Sequence, residues 1–422
     1  MSFFAVRWVH LLPGVAWVAF VGCQSHRFPE EPHHYFAITH PALNRITFFD
    51  LERREVVGAL PTEKLPHDML LGRNGNVLYV VNSGAQCISS YNITDQEMWQ
   101  VAAAFMKSDS SGRRSGSPAM MGPRHGAARD TASETYLRDD PVQHLPASVV
   151  VQHLSDPMFP PQAAQKHRPV GAETHKACFD CHDRSVGGKP FGPIFGGDKS
   201  EIYLVHLAYK NLTVLDASTL TVKRQIPLDS IPNLSPIAVW VNSEETYAFI
   251  TCRAEIGASL PGCILVVDLK TGKTSKFIPA GIYPWHLLPD ASGKTLYVNN
   301  FQSSTISVVD VARQEIVDSL TAQNGPAMMV LVPNTNLLLV SCFYTDNIVA
   351  VNTHTHQTEK VIHVDTNPTS MEVADDGTKL YVLCGGESSL VVVDLRSYQV
   401  IERFKLLFGA YAFQQIDRTN LY

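Results

Sequence analysis

The sequence predicts an all-β fold: a seven-bladed β-propeller of four-stranded blades, closed by strands from both ends of the chain and interrupted by one long irregular insertion carrying a short helix. Three observations predict it. An aromatic or apolar position is followed 13 residues later by Asp or Asn in Tyr79/Asn92, Tyr203/Asp216, Tyr297/Asp310, Leu339/Asn352, Tyr381/Asp394 and Ala37/Asp50, and Phe249/Asp268 fits with a longer loop. Pro66, Pro190, Pro236, Pro284, Pro326 and Pro368 each stand 13 residues before the strand position of their copy. Finally, Tyr35–Thr39 reads as a second strand with no first, and Ala410–Gln415 as a first strand with no successors, so each completes the other. A unit of about 42 residues with four short strands is the pattern of a propeller blade, and joining the ends removes exposed sheet edges.

Taken in order, residues 1–22 read as an export signal: Arg7 leads an apolar run from Leu11 to Val21, with small residues before a cysteine. Phe20-Val-Gly-Cys23 resembles a bacterial lipobox, which implies lipidation of Cys23 and a membrane contact through that anchor. Residues 23–34 form a linker and 35–106 the first part of the propeller. Period-two runs such as Thr305–Asp310 and Ser389–Asp394 mark the strands of the remainder, 189–422. Between these parts the spacing breaks. Asp50, Asp268, Asp310 and Asn352 precede the next proline by 16 residues, whereas Asn92 precedes Pro190 by 98. The excess is assigned to an insertion at 107–188, expected between the outer strand of one blade and the inner strand of the next. Within it Ala147–Val151 predicts a strand, and a helix is expected around Thr174–Asp183.

The insertion ends on the residues that specify a chemistry, Cys178-Phe-Asp-Cys181-His182. Two thiols at this spacing can form thioethers to the vinyl groups of one haem, with His182 beneath the iron as axial ligand. A zinc site using His175, Cys178, Cys181 and His182 is a rival, but adjacent Cys181 and His182 make poor partners in one tetrahedron. A thiol-disulfide pair lacks a surrounding βαβ pattern. One covalent haem c is the reading that follows. For the second axial position the sequence offers His153 or Met158 first, then His144, His167, and His67 or His286 from the propeller.

An insertion feeding an inner strand belongs to the face where inner strands begin. His67, Trp285 and His286 fall at that channel mouth, where ordinary polar lining is the plainer role for the two histidines. Cys252 and Cys263 flank a hairpin loop and are the candidate disulfide. The chain has 422 residues, 45% hydrophobic and 18% charged, which supports a large core. A net charge of -6 gives no reason to expect a nucleic-acid partner.

Tyr79-Val-Val-Asn82, Tyr297-Val-Asn-Asn300, Tyr381-Val-Leu-Cys384 and the turn Asp375-Asp-Gly377 resemble the YVTN β-propeller repeat family, which includes YncE-like exported proteins. The resemblance spans 35–106 and 188–422, implies the propeller fold and says nothing of a reaction. The family's Thr is absent from all three copies. The functional expectation is an exported monohaem cytochrome in the periplasm or cell envelope, with the outer membrane favoured by Gln24, exchanging electrons with a redox protein. The alternatives are a haem enzyme with an open iron site, acting on peroxide or nitrogen oxides, and a non-catalytic binding or scaffold lipoprotein. No Ser-His-Asp arrangement, phosphate loop or carboxylate metal cluster points to another enzyme class.

Overall fold

The computed structural model describes residues 34–111, 149–153, 190–228, 231, 233–254 and 260–417. Among these residues the strands form seven four-stranded antiparallel sheets. Blade 1 is the closing blade: Phe413–Asp417 is its innermost strand and pairs with His34–His40, with Phe36 opposite Gln415 and Ala37 opposite Gln414. The inner strands of blades 2 to 7 are Pro66–Leu71, Pro190–Phe195, Ser235–Val241, Pro284–Pro289, Pro326–Leu331 and Pro368–Val373.

The repeated Asp or Asn closes the third strand and builds the turn that follows. The side chain of Asp50 accepts the Arg53 N–H at 2.8 Å, Asp268 that of Thr271 at 2.8 Å, and Asp310 that of Arg313 at 2.8 Å. Short Asx side chains substitute for a backbone partner in such turns, which explains why the position recurs. The repeated proline has a different cause. Most face the last residue of the second strand, as in Pro66↔Asn82, Pro284↔Asn300 and Pro368↔Cys384, while Pro236 faces Cys252, one short of the end, and a register shift follows each. Proline has no N–H to give a ladder and so suits a strand start, and the bulge after it re-aims the next side chains.

Second-strand residues are buried on both faces. In blade 7, Leu380, Val382 and Cys384 pack toward blade 6 while Tyr381 and Leu383 pack toward blade 1. The core is therefore divided into layers between neighbouring blades, which is why these strands read as continuous apolar runs.

The insertion is arranged differently from the expected single block at 107–188. The outermost strand of blade 2 is Val149–His153, from inside that range, and it pairs with Cys87–Asn92. Before it stands a helix, Gln96–Ser111, which begins inside the stretch assigned to the propeller. The excess chain is thus split: one part lies between the third and fourth strands of blade 2, the other, 154–189, between blades 2 and 3. Local chemistry explains the exchange. Gln96–Met106 is rich in helix formers, whereas Val149-Val150-Val151 is β-branched and suits the strand edge that the helix leaves open. The helix earns its place by burial, with Met98, Trp99 and Ala102 all at 1% exposure or less. The Trp99 ring lies 4.6 Å from Phe48 and 5.3 Å from Tyr35, and its Nε1–H donates to the Ile93 carbonyl at 2.8 Å. At Gly58 an added Cβ would stand 3.1 Å from the Ala102 Cβ, so glycine permits the close approach of the helix. The helix expected near Thr174–Asp183 lies outside the described residues.

Candidate functional site

Register fixes which residues share an end of the propeller. Pro66 faces Asn82, Asn82 faces Cys87, and Cys87 faces His153; Pro190 faces His206. The chain therefore leaves blade 2 at His153 and re-enters blade 3 at Pro190 at the same end, the end where the inner strands start. Cys178, Cys181 and His182 lie between these two points, outside the described residues, as do Met158 and Cys23.

At this end the residue after each proline opens an inner strand. His67 of blade 2 is flanked by both neighbouring blades: its ring lies 4.5 Å from Phe191 of blade 3 and 4.2 Å from Tyr411 of blade 1. Its Nδ1 stands 3.1 Å from Asp68 Oδ1, within ion-pair distance but off the hydrogen-bonding line. The other carboxylate oxygen, Oδ2, accepts the Gly192 N–H at 3.1 Å. Gly192 adopts a φ of 55°, and a Cβ there would fall 2.8 Å from the Ala238 Cα, so glycine is needed for this approach between blades.

His286 of blade 5 sits one residue deeper than Trp285. Its backbone N–H donates to Asn299 Oδ1 at 2.5 Å, and Asn299 Nδ2 donates onward to the carbonyls of Pro326 and Ala327 at 2.6 and 2.7 Å. The side-chain Nδ1 is buried with no hydrogen-bond partner. Trp285 stacks on Tyr283, ring centres 5.7 Å apart, so it is tied into the wall of the mouth.

The electrostatics follow from crowding within the channel. Burial alone raises a carboxyl, but the charge and contact of His67, the Gly192 N–H and the field of His286 outweigh it and hold Asp68 below its ordinary range. Burial lowers the His286 imidazole to about 4, against a partial upward pull from Asp68. At neutral pH the mouth thus presents one carboxylate and a neutral imidazole across the axis from it. Among the described residues no group of three His, Cys, Asp or Glu is placed to hold a metal ion.

The sequence pointed to His67, Trp285 and His286, and the structure puts all three at the starts of inner strands. Asp68 was passed over. It occupies the strand position filled elsewhere by Gly192, Ala238, His286, Met328, Ser370 and Ala412, and a carboxylate there is the signal that marks it. His153 ends the outermost strand of blade 2, at the rim. Cys252 and Cys263 face one another directly across two strands, as a bridge requires, but are present as free, buried thiols. Burial, with Cys263 alongside, raises the Cys252 thiol well above its ordinary range and so disfavours the thiolate that disulfide exchange needs.

Fold and mouth define a seven-bladed propeller with a polar, histidine-bearing channel face, and comparison with known proteins agrees at the level of fold. No family model and no curated protein matches the chain. Among solved structures it is similar to a functionally unknown protein from Desulfotomaculum acetoxidans, at 11% identity and a TM-score of 0.58, over 90% of this chain and 98% of that one. It is also similar to the dihydro-heme d1 dehydrogenase NirN, at 13% identity and 0.54, over 94% and 78%. AztD from Citrobacter koseri matches at 10% identity and 0.52, over 92% and 99%.

Proposed function

We propose that this chain is an exported, lipid-anchored monohaem c-type cytochrome built on a YVTN-like propeller, exchanging electrons with a protein partner docked at the channel face. The observation that carries the reading is the tether. Cys178-Phe-Asp-Cys181-His182 is confined to the chain between His153 and Pro190, two residues at the same end of the propeller. Pro190 stands eight positions after His182, and eight fully extended steps reach no more than about 26–29 Å. The motif is therefore held within reach of the mouth that displays His67, Trp285 and His286.

Cys178 and Cys181 would hold the haem covalently and His182 would be its axial ligand. A haem held there supplies reversible one-electron chemistry. The residues of the mouth suit such a group: His286 offers a buried Nδ1 with no partner, and Asp68 adds a fixed negative charge that favours the more positive, oxidised state of a nearby iron. NirN is a dihydro-heme d1 dehydrogenase, and its likeness supports the compatibility of this fold with haem and nothing finer.

The test is to produce the protein with a haem-attachment system and record its visible spectrum after denaturing electrophoresis and in solution. Covalent haem with a c-type spectrum is expected, and Cys178→Ala with Cys181→Ala should abolish it. Wild-type protein without covalent haem overturns the reading.

A further inference from the structure

We propose that Cys252 and Cys263 close into a reversible disulfide that staples two strands of blade 4 and stiffens the blade 5 wall of the channel mouth. The inference stands apart from the cytochrome reading and uses no residue of the haem motif.

Placement is the first argument. The second strand of blade 4, Tyr247–Arg253, pairs in unbroken register with the third, Pro261–Asp268, and Cys252 lies directly opposite Cys263. The Leu269 N–H donates to the Thr246 carbonyl at 2.9 Å, which makes those two a hydrogen-bonded pair. Such pairs alternate along an antiparallel ladder, so Cys252 and Cys263, an even number of steps further on, form another. Their Cα atoms then stand about 5.5 Å apart, inside the range that disulfides span. Both side chains pack into one layer, the one shared with blade 3. Cys87, Cys342 and Cys384 instead face Asn82, Asn347 and Ser389. Among the described residues no other two cysteines are opposed.

Closing the bond must draw the two Cβ atoms together by about 1 Å. The sheet has slack at this level. Its ladder to the inner strand shifts register between Pro236 and Ala238, and its ladder to the outermost strand, Lys273–Ile282, shifts between Pro261 and Cys263. Where both flanking ladders are already interrupted, the paired strands can adjust without losing regular bonds.

The reaction is thiol–disulfide exchange with an external disulfide. Two S–H bonds are lost, one S–S bond forms, and the two electrons and two protons leave the oxidant as two thiols. Both cysteines are fully buried, so the exchange takes place as blade 4 folds or when this strand end opens. The same burial shields the closed bond from reductants.

The effect reaches the mouth because the neighbours of Cys252 hold blade 5. Thr251 Oγ1 donates to the Trp285 carbonyl at 3.3 Å. The Arg253 guanidinium lies 4.4 Å from the centre of the Tyr283 ring, on which Trp285 stacks. Pinning the strand at Cys252 restrains both contacts.

The experiment uses the full chain with Cys23, Cys178 and Cys181 replaced by Ser, which leaves the five buried cysteines. It is held in urea below its unfolding transition with oxidised and reduced glutathione, then denatured, alkylated and weighed. Titratable thiols are expected to fall from five to three with the mass loss of two hydrogens, the bond mapping to Cys252 and Cys263. Dithiothreitol should restore all five. Cys263→Ser should keep its four remaining thiols under the same treatment. Acrylamide quenching of Trp285, taken as the difference from Trp285→Phe, should fall on oxidation in the parent and stay constant in Cys263→Ser. Five thiols after treatment, or a bond mapped elsewhere, overturns the staple. A closed bond with unchanged Trp285 quenching overturns its link to the mouth. Neither result bears on covalent haem, whose absence from the wild type would overturn the cytochrome reading alone.

Discussion

Glu372 and two histidines pull the stability of this protein in opposite directions with pH. Burial lowers both His40 and His286 from 6.5 to about 4. Each is neutral in the fold while its unfolded counterpart takes up a proton, so their contribution is whole above pH 6.5 and is lost as pH falls toward 4. Glu372, half-buried against blade 1, is raised from 4.5 to about 7 by burial, with Asp375 adding to the rise and the Gln415 N–H partly offsetting it. Its carboxylate costs stability that is absent below pH 4.5 and fully present above pH 7. Glu372→Gln keeps an acceptor for Gln415 and removes the charge. Urea denaturation should show the variant more stable than wild type by about 1–3 kcal/mol at pH 8 and by almost nothing at pH 4.5. Equal differences at both pH values would show that Glu372 is not protonated on folding.

The helix Gln96–Ser111 is the element whose removal would be felt furthest from its own sequence. Trp99 packs against Tyr35 and Phe48 of blade 1 and donates to the Ile93 carbonyl, so Trp99→Ala leaves a buried cavity there. A loss of about 3–5 kcal/mol is expected in denaturant unfolding; Gly58→Val should cost stability at the same seam by pushing Ala102 away. A loss under about 1 kcal/mol for Trp99→Ala would show that the helix only rests on the surface. This same element marks where sequence periodicity stopped being informative. Propeller strands were legible because each Pro, Tyr and Asp answers a local demand: a missing N–H at a strand start, a ring for an inter-blade layer, an Asx turn. A buried helix answers no such repeat, and Gln96–Ser111 straddles the boundary drawn between the propeller stretch 35–106 and the insertion 107–188. The site was legible in the same way. His67 and His286 could be placed by counting from Pro66 and Pro284, but the pairing of Asp68 with Gly192 joins residues 124 apart and follows only from the closure of neighbouring blades.

Closure is the property of the whole molecule on which the channel mouth depends. Tyr411 contacts His67 from blade 1, and the Tyr411 N–H donates to the Thr39 carbonyl at 3.0 Å, so one wall of the mouth is made by the last part of the chain lying on the first described strand. Thr39 Oγ1 in turn donates to the carbonyls of His67 and Ala412, at 3.2 and 3.3 Å, linking blade 1 to blade 2. Below the mouth, Phe413 meets Phe36 edge-on at 5.0 Å and Ile416 is fully buried. Ending the chain after Ala412 removes the pairing partner of His34–His40, exposes Phe36 and Ile38 and leaves a strand edge open. The truncated protein is expected to associate, as seen by light scattering, and to unfold over a broader denaturant range than a control ending at Asp417. A truncated protein that stays monomeric and unfolds as sharply as the control would mean that the six remaining blades hold the mouth without the closing strand.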